Sequence, residues 1–380
     1  MAPLDSTISE VLIIGGGVIG LSTARELRKR GVGSISIVER GKVGREASWA
    51  AAGMLSPDIE ADPNGHFYRL CRRSLSMYPQ FADELFAETG VDIELDRAGT
   101  LAVGFENSDD LESIYREQRM AGVNVRSLTT RDVLELEPNL SDRVTSALFY
   151  VDNWQVENRK LLKALNTFCM RHEIGIKEDS TVERLLIENG KVVGVETGSG
   201  RVTAEHVVLA TGAWTSLIKI GDSGMPFEIK PVLGQMICFA PNENLLHCVI
   251  HSQRGYLVPK QDGRILAGST SEDRGFEKGV TDEVVMQLHD MAAEIVPALA
   301  DESMVDSWSG LRPCSSDQLP VIGNIAGISN LTIATGHYRN GILLAPGTAQ
   351  IVADHLTEGI AFPEPFSPQR FVSESSRARG

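Results

Sequence analysis

Val11-Leu12-Ile13-Ile14-Gly15-Gly16-Gly17-Val18-Ile19-Gly20, followed by Leu21-Ser22-Thr23-Ala24-Arg25-Glu26-Leu27-Arg28-Lys29-Arg30, is the stretch that decides the fold. An apolar strand, Val11 to Ile14, runs into GxGxxG at Gly15, Gly17 and Gly20, and a helix is expected from Leu21 to Arg30. A second strand, Ser34 to Val38, ends in Glu39, nineteen residues past Gly20. This order is the dinucleotide-binding fingerprint. Gly15 serves the tight turn, Gly17 lets the backbone approach a pyrophosphate, and Gly20 lets helix and strand pack closely. Val18 and Ile19 stand between the last two motif glycines, ahead of a helix N-terminus whose free amides and dipole favour phosphate. Glu39, with Arg40 beside it, is placed to accept hydrogen bonds from the hydroxyls of an adenosine ribose. A tight turn in an empty doubly wound sheet is the alternative, and it leaves Glu39 and the three glycines without a common purpose.

The next segment narrows the ligand. Gly44-Arg45-Glu46-Ala47-Ser48-Trp49-Ala50-Ala51-Ala52-Gly53-Met54 stands where a nicotinamide-binding half would run into another strand and helix. Its small side chains let backbone amides approach a ligand that extends past the pyrophosphate, as the ribityl chain and isoalloxazine of FAD do. Ala47, Ser48, Ala52, Gly53 and Met54 are therefore cofactor candidates. An Ala-rich start to a buried helix is the bland alternative.

Four separated stretches then carry a resemblance: GGGVIGLSTARELRKRG from Gly15, EASWAAAGMLSP from Glu46, GLRP from Gly310 and GHYRNGILLAP from Gly336. Together they resemble the D-amino acid oxidase superfamily and, within it, the glycine oxidases of thiamine biosynthesis, over nearly the whole chain. The resemblance implies an α/β fold, α+β overall. Its Rossmann-type FAD-binding domain, of the glutathione-reductase-like kind, would be discontinuous over 1–90, 150–225 and 308–380. A mostly antiparallel substrate-binding domain would occupy 91–149 and 226–307. Val182 matches the position whose backbone meets the adenine, and Thr211 and Gly212 belong to an ATG strand that returns to the cofactor. His337, Arg339, Asn340, Gly341, Ile342 and Leu343 match the loop facing the flavin, ahead of a helix expected to begin near Ala345-Pro346.

A small amino acid carboxylate taken from water needs a planar, permanently charged partner. Arg312 matches the family's carboxylate-binding arginine, Arg339 a second arginine at the substrate, and Tyr256 a tyrosine that closes the site. Taken blind, each also reads as an ordinary surface arginine or strand tyrosine. Arg254 stands where a histidine is found in the best-known pattern, and Ser271 where a methionine lines the pocket. No general base is evident, and none is required if the amine arrives neutral: hydride leaves Cα for flavin N5, giving an imino acid and, with O₂, hydrogen peroxide. The resemblance implies glycine as substrate, with sarcosine and small D-amino acids as further candidates. It also implies iminoacetate for the thiazole ring, hand-over to a thiazole synthase, and a tetrameric homo-oligomer. Cys314 lies near where the distantly related monomeric sarcosine oxidases bond the flavin covalently; the surrounding sequence favours a free thiol and non-covalent FAD. A quinone-linked D-amino acid dehydrogenase and a non-catalytic FAD-binding module are the other readings.

Composition agrees with an enzyme of two cores. The 380 residues carry 36 Lys and Arg against 51 Asp and Glu, a net charge of −15 that repels nucleic acid and anionic membrane. Five cysteines, at 71, 169, 238, 248 and 314, show no metal spacing, so reduced thiols in the cytoplasm are expected and no metal site. No signal peptide or long apolar run is evident. Helices are expected over 67–89, 109–121, 158–172 and 282–295, with strands at 100–105, 147–150, 207–209, 235–239, 248–250, 255–259 and 265–268. Asn189-Gly190 between 182–187 and 192–196, and Gln261-Asp262-Gly263, read as hairpin turns. The Ser- and Arg-rich tail from Ser373 is expected to be disordered.

Overall fold

The apolar run at the N-terminus becomes the strand Ser9–Ile14, and both of its faces are buried. Val11 and Ile13 enter one core cluster, Leu12 and Ile14 another, which explains why the strand is continuously apolar and not alternating. The computed structural model describes residues 9–105 and 111–371. The tail from Ser373 and the first two residues of the expected 109–121 helix lie outside them, and the helix that is described there spans Leu111–Met120.

Among the described residues the strands form two large sheets. In the first, Ser9–Ile14 lies parallel between Gly200–Leu209 and Ile35–Val38, and Gly175–Lys177 extends the parallel row. Leu331–Thr335 brings the C-terminal region back parallel to Gly200–Leu209. The helices Val18–Lys29, Asn158–Arg171 and Gly341–Glu358 pack together with His66–Thr89 on one face. An antiparallel meander, Val182–Glu188 to Lys191–Thr197 to Gly200–Leu209, extends the sheet, and the short strands Lys219–Ile220 and Val321–Gly323 pair with Val182–Glu188 and Leu331–Thr335. Its first turn has Asn189 and Gly190 at φ 50° and 74°, the left-handed pair of a tight hairpin.

The second sheet runs Met304–Ser315, Ile229–Phe239, Ile265–Gly268, Gly255–Pro259, Val249–Ser252, Thr100–Phe105, Val144–Tyr150, Val125–Leu128. All its pairings are antiparallel except Val249–Ser252 with Thr100–Phe105. The helix Asp282–Ile295 buries Leu288, Met291 and Ile295 against this sheet. The strand carrying Arg312 runs unbroken from Met304 to Ser315, so it belongs to the second sheet throughout and crosses the boundary placed at residue 308.

One local expectation needs correction. The helix placed near Ala345-Pro346 begins at Gly341, with Pro346 inside it. A proline removes the amide that would bond to Ile342 O, and the Tyr78 hydroxyl supplies that bond instead. Ser74 Oγ donates to Leu343 O at 2.6 Å and accepts from Gly347 N at 3.0 Å, so a side chain from the neighbouring helix stands in the ladder. The unusual backbone of the Gly336–Gly341 loop is at Gly336, φ 71°, and Tyr338, φ 47°, whereas Gly341 is helical. No helix among the described residues is long and apolar enough to cross a membrane.

Candidate active site

The turn after the first strand opens a cavity of about 450 Å³ whose walls come from both sheets. At Gly15, φ 108°, a Cβ would lie 2.3 Å from Ala210 O, and at Gly20 it would lie 1.9 Å from Gly15 O. The first glycine thus lets the returning 200–209 strand approach, and the second lets the helix sit on the turn. Gly15, Gly17, Val18 and Ile19 lie on the cavity wall, and Gly20 lies behind it.

Glu39 also lies on the wall and is 8% exposed. Its Oε2 accepts from Gly16 N at 2.7 Å and its Oε1 from Gly41 N at 2.9 Å. The carboxylate is held by backbone amides, with a second lone pair on each oxygen left for a ligand. Arg40 pairs with Glu46 at 2.6 Å and lies 4.2 Å above the Trp214 ring. Val182, Thr211 and Gly212 reach the same end of the cavity.

The small-residue stretch folds into a short helix, Ala47–Ala50, and an extended run through Met54. Ala47, Ser48, Ala52, Gly53 and Met54 all face the cavity. The stretch is fixed from several sides. Ser48 Oγ accepts from Val18 N at 3.1 Å, and Asn158 Nδ2 donates to Ser48 O and Trp49 O at 2.8 and 3.0 Å. From the second sheet, Trp308 Nε1 donates to Ala50 O at 3.0 Å and Lys260 Nζ to Ala52 O at 2.7 Å. Lys260 also reaches Val156 O and Gln155 Oε1, and burial brings its ammonium down to about 8.

Arg312 and Tyr256 meet on the second sheet. Arg312 Nη1 donates to Thr270 O at 3.0 Å and Nη2 to Ser269 Oγ at 2.6 Å. The Tyr256 hydroxyl lies 3.1 Å from the same Ser269 Oγ. Arg339 also lines the cavity, in the loop that meets the Arg312 strand at the Cys314–His337 bridge, its guanidinium 4.0 Å from Glu60 Oε2 and 5.1 Å above the Tyr338 ring. Burial pushes the Glu60 carboxyl up, while Arg339 and Arg312 pull the other way. His251, cross-strand from Tyr256, is brought down by burial to about 4, helped by Arg339.

His337, Arg339, Gly341 and Ile342 line the cavity, whereas Asn340 and Leu343 are buried behind it. His337 is 3% exposed, with Nε2 3.0 Å from Thr348 Oγ1. Arg254 lies at the cavity edge, paired with Glu294. Ser271 is not on the wall; its hydroxyl is 3.4 Å from that of Tyr338. Cys314 is a free thiol off the wall, raised by burial. Sequence reasoning passed over Ser269, Glu60, His251 and Gly234. No motif marks them; the pairing of Tyr256 with Gly268 and of Arg312 with Val232 gathers Tyr256, Ser269, Arg312 and Gly234.

The residues present suit FAD. Ser180 Oγ, buried on the wall, has no hydrogen-bond partner among the described residues. A Cβ at Gly17 would meet only Ser48 Oγ at 3.4 Å, leaving the backbone open to the cavity. The first turn of the 18-residue helix Gly341–Glu358 also reaches the wall, bringing positive dipole to a ring that gains negative charge on reduction. Glu39 and the glycine turn stand at one end, and Arg312 and Tyr256 belong to the sheet that forms the other wall.

Comparison with known proteins agrees with this arrangement. The family model described as DAO, FAD dependent oxidoreductase, matches residues 10–355. A glycine oxidase of Pseudomonas putida is 34% identical over 365 residues, 95% of this chain and 98% of its own. The bifunctional protein ThiO/ThiG of a Nostoc species is 36% identical over 92% of this chain and 53% of its own. The crystal structure of glycine oxidase from Geobacillus kaustophilus superposes with a TM-score of 0.88 at 34% identity, covering 95% of this chain and 98% of that one.

Proposed function

The chain belongs to the DAO family of FAD-dependent oxidoreductases, and from that membership we propose that it oxidises glycine to the imino acid, with O₂ as the final acceptor and hydrogen peroxide as the second product. The observation that carries the reading is Arg312, a guanidinium fixed by Ser269 and Thr270 on the wall of the cavity that begins at the glycine turn.

Gly15, Gly17, Val18, Ile19, Glu39, the 47–54 stretch, Val182, Thr211, Gly212 and the start of the 341–358 helix would hold FAD without a covalent bond. When bound, FAD supplies the hydride acceptor for Cα and returns the electrons to O₂. The protein's part is orientation and the exclusion of water. Arg312 takes the carboxylate through a rigid fork. Tyr256 closes one side, and Arg339, balanced by Glu60, closes another. His251 is neutral at working pH and adds no charge. The amine enters without its proton, so no side chain has to remove one. Division of the work follows the two sheets, the first holding cofactor and the second facing substrate.

The imine is taken to supply the thiazole ring of thiamine. Its hand-over to a thiazole synthase is supported by the ThiO/ThiG protein, in which a sequence similar to this one shares a chain with a second unit. A cytoplasmic location accords with five free cysteines, and a homo-oligomer, tetrameric by resemblance, is part of the same reading. The test is direct: glycine added without oxygen to the purified FAD-bound protein bleaches the flavin band, and in air it releases peroxide. Bleaching without peroxide would make the protein a dehydrogenase, and no response to glycine, sarcosine or D-alanine would overturn the enzyme reading.

A further inference from the structure

We propose that Ser269 is a substrate-contacting residue, and that its hydroxyl and that of Tyr256 act as one unit giving a single proton to the carboxylate seated on Arg312; this rests on the amino acid oxidase reading above. Ser269 directly follows Gly268, the last residue of the strand Ile265–Gly268, whose Cα partners in the adjacent strands are Tyr256 and Met236. That register places the Ser269 Oγ 3.1 Å from the Tyr256 hydroxyl and 2.6 Å from Arg312 Nη2, with all three residues on the cavity wall.

Counting donors leads to the assignment. A serine or tyrosine hydroxyl has one proton to give, and an arginine only gives. Arg312 therefore occupies a lone pair of Ser269. The Tyr256 hydroxyl donates to Ser269 Oγ, so that contact uses the tyrosine's proton. One proton remains. It is the serine's, and it has no acceptor among the described residues; the Tyr256 hydroxyl's other contact, Met236 Sδ at 3.9 Å, is long and to a weak acceptor.

The acceptor this proton suits is an anion beside Arg312. The guanidinium is held by Nη1 to Thr270 O at 3.0 Å and Nη2 to Ser269 Oγ at 2.6 Å, and it lies in the space left by the missing side chain of Gly234, where a Cβ would come 2.5 Å from its central carbon. A carboxylate, which only accepts, can take the N–H groups of Arg312 that Thr270 and Ser269 leave over, together with the spare hydroxyl proton. A carboxamide turns one donor towards them and loses a bond. Ser269 thereby selects carboxylates over their amides and fixes which carboxylate oxygen faces Tyr256.

The FAD-bound enzyme tests this with Ser269→Ala, Ser269→Thr, Tyr256→Phe and the double variant Ser269→Ala/Tyr256→Phe. The dissociation constant of glycolate, read from the shift of the flavin absorption band, is measured alongside steady-state oxidation of glycine. Ser269→Ala is expected to raise the glycolate constant and the KM for glycine by about tenfold or more, with kcat moved less than KM. Ser269→Thr, which keeps the hydroxyl, restores most of the affinity. The double variant, which leaves no hydroxyl proton to give, binds glycolate worse than either single variant. The proposal is overturned if Ser269→Ala stays within about twofold of the parent, if the double variant binds no worse than the more weakly binding single variant, or if Thr loses as much as Ala. Should the parent bind glycolate and fail to oxidise glycine, the proposed function falls, while Ser269 is still judged on the glycolate constants.

Discussion

The guanidinium of Arg312 occupies the space in which a side chain at Gly234 would stand: a Cβ there would lie 2.3 Å from Nη2 and 2.4 Å from Nη1. Arg312 is tied to Ser269 and Thr270, so Gly234→Ala must push it off those partners. The strand itself has room to keep its pairing, and the protein is expected to fold and hold FAD. KM for glycine should rise at least about tenfold, from the loss of an aligned charge-assisted bond. Steady-state kinetics with the flavin spectrum as a control would show it; an unchanged KM would mean that the arginine's present position is not needed for binding.

Removal of the arginine itself should be harsher. Arg312→Ala is expected to weaken glycine and glycolate binding by a hundredfold or more, roughly the 2–5 kcal/mol of a buried charge pair. Arg312→Lys should recover only part, since an ammonium lacks the two-pronged geometry. FAD affinity should be unaffected in both, because Arg312 belongs to the second sheet and the glycine turn to the first.

Tyr78 and Ser74 support the first turn of the helix that begins at Gly341. Tyr78→Phe leaves the Ile342 carbonyl, freed by Pro346, without a partner in a buried setting. A loss of about 1–3 kcal/mol in urea unfolding is expected. FAD affinity should fall with it, since Ile342 lies on the cavity wall. Stability unchanged by the substitution would mean that another donor reaches the carbonyl.

Buried imidazoles set an acid limit. Burial brings His337 down to about 3, and burial with His355 nearby brings His206 to about 4, from an ordinary 6.5. The unfolded chain takes up these protons as pH falls below 6.5, and the folded chain does not. The unfolded state therefore binds more protons between 6.5 and 4, and stability present in full above 6.5 is lost as pH falls through that window. Each histidine contributes a slope of at most about 1.4 kcal/mol per pH unit. His206→Asn should remove one share of that slope, measured by urea unfolding at neutral pH and at about pH 5.

Acid precipitation of the holoenzyme should leave the flavin in the supernatant. Cys314 is off the cavity wall, and burial keeps its thiol protonated, which is the wrong state for attack on a flavin. Yellow colour remaining with the precipitate would show a covalent bond.

Much of this was legible in the residues. The expected helix over 282–295 is the one observed, and the Asn189-Gly190 turn has the expected backbone, because apolar period and turn chemistry are local. The first strand, turn and helix were legible for the same reason. The start of the last helix was not, because Pro346 reads as a boundary unless the hydroxyls of Ser74 and Tyr78, some 270 residues away, are known to replace the lost ladder. The helix Thr130–Leu136 was passed over although Thr129 and Asp132 form a capping box that the spacing displays. Ser269 and Gly234 had no local mark at all. Their meaning comes from cross-strand register, and the parallel pairing of Val249–Ser252 with Thr100–Phe105 joins segments about 150 residues apart without any signal in either.

Lys260 and Trp308 reach across from the second sheet to carbonyls of the 47–54 stretch, while Asn158 and the Val18 amide grip the same stretch from the first. The seam between the sheets is thus also the floor on which the cofactor would lie. Pulling the sheets apart would strip buried donors, an ammonium among them, from carbonyls of that stretch, so the two halves are expected to melt together. Heat should unfold the chain in one transition, and added FAD should raise its midpoint without splitting it.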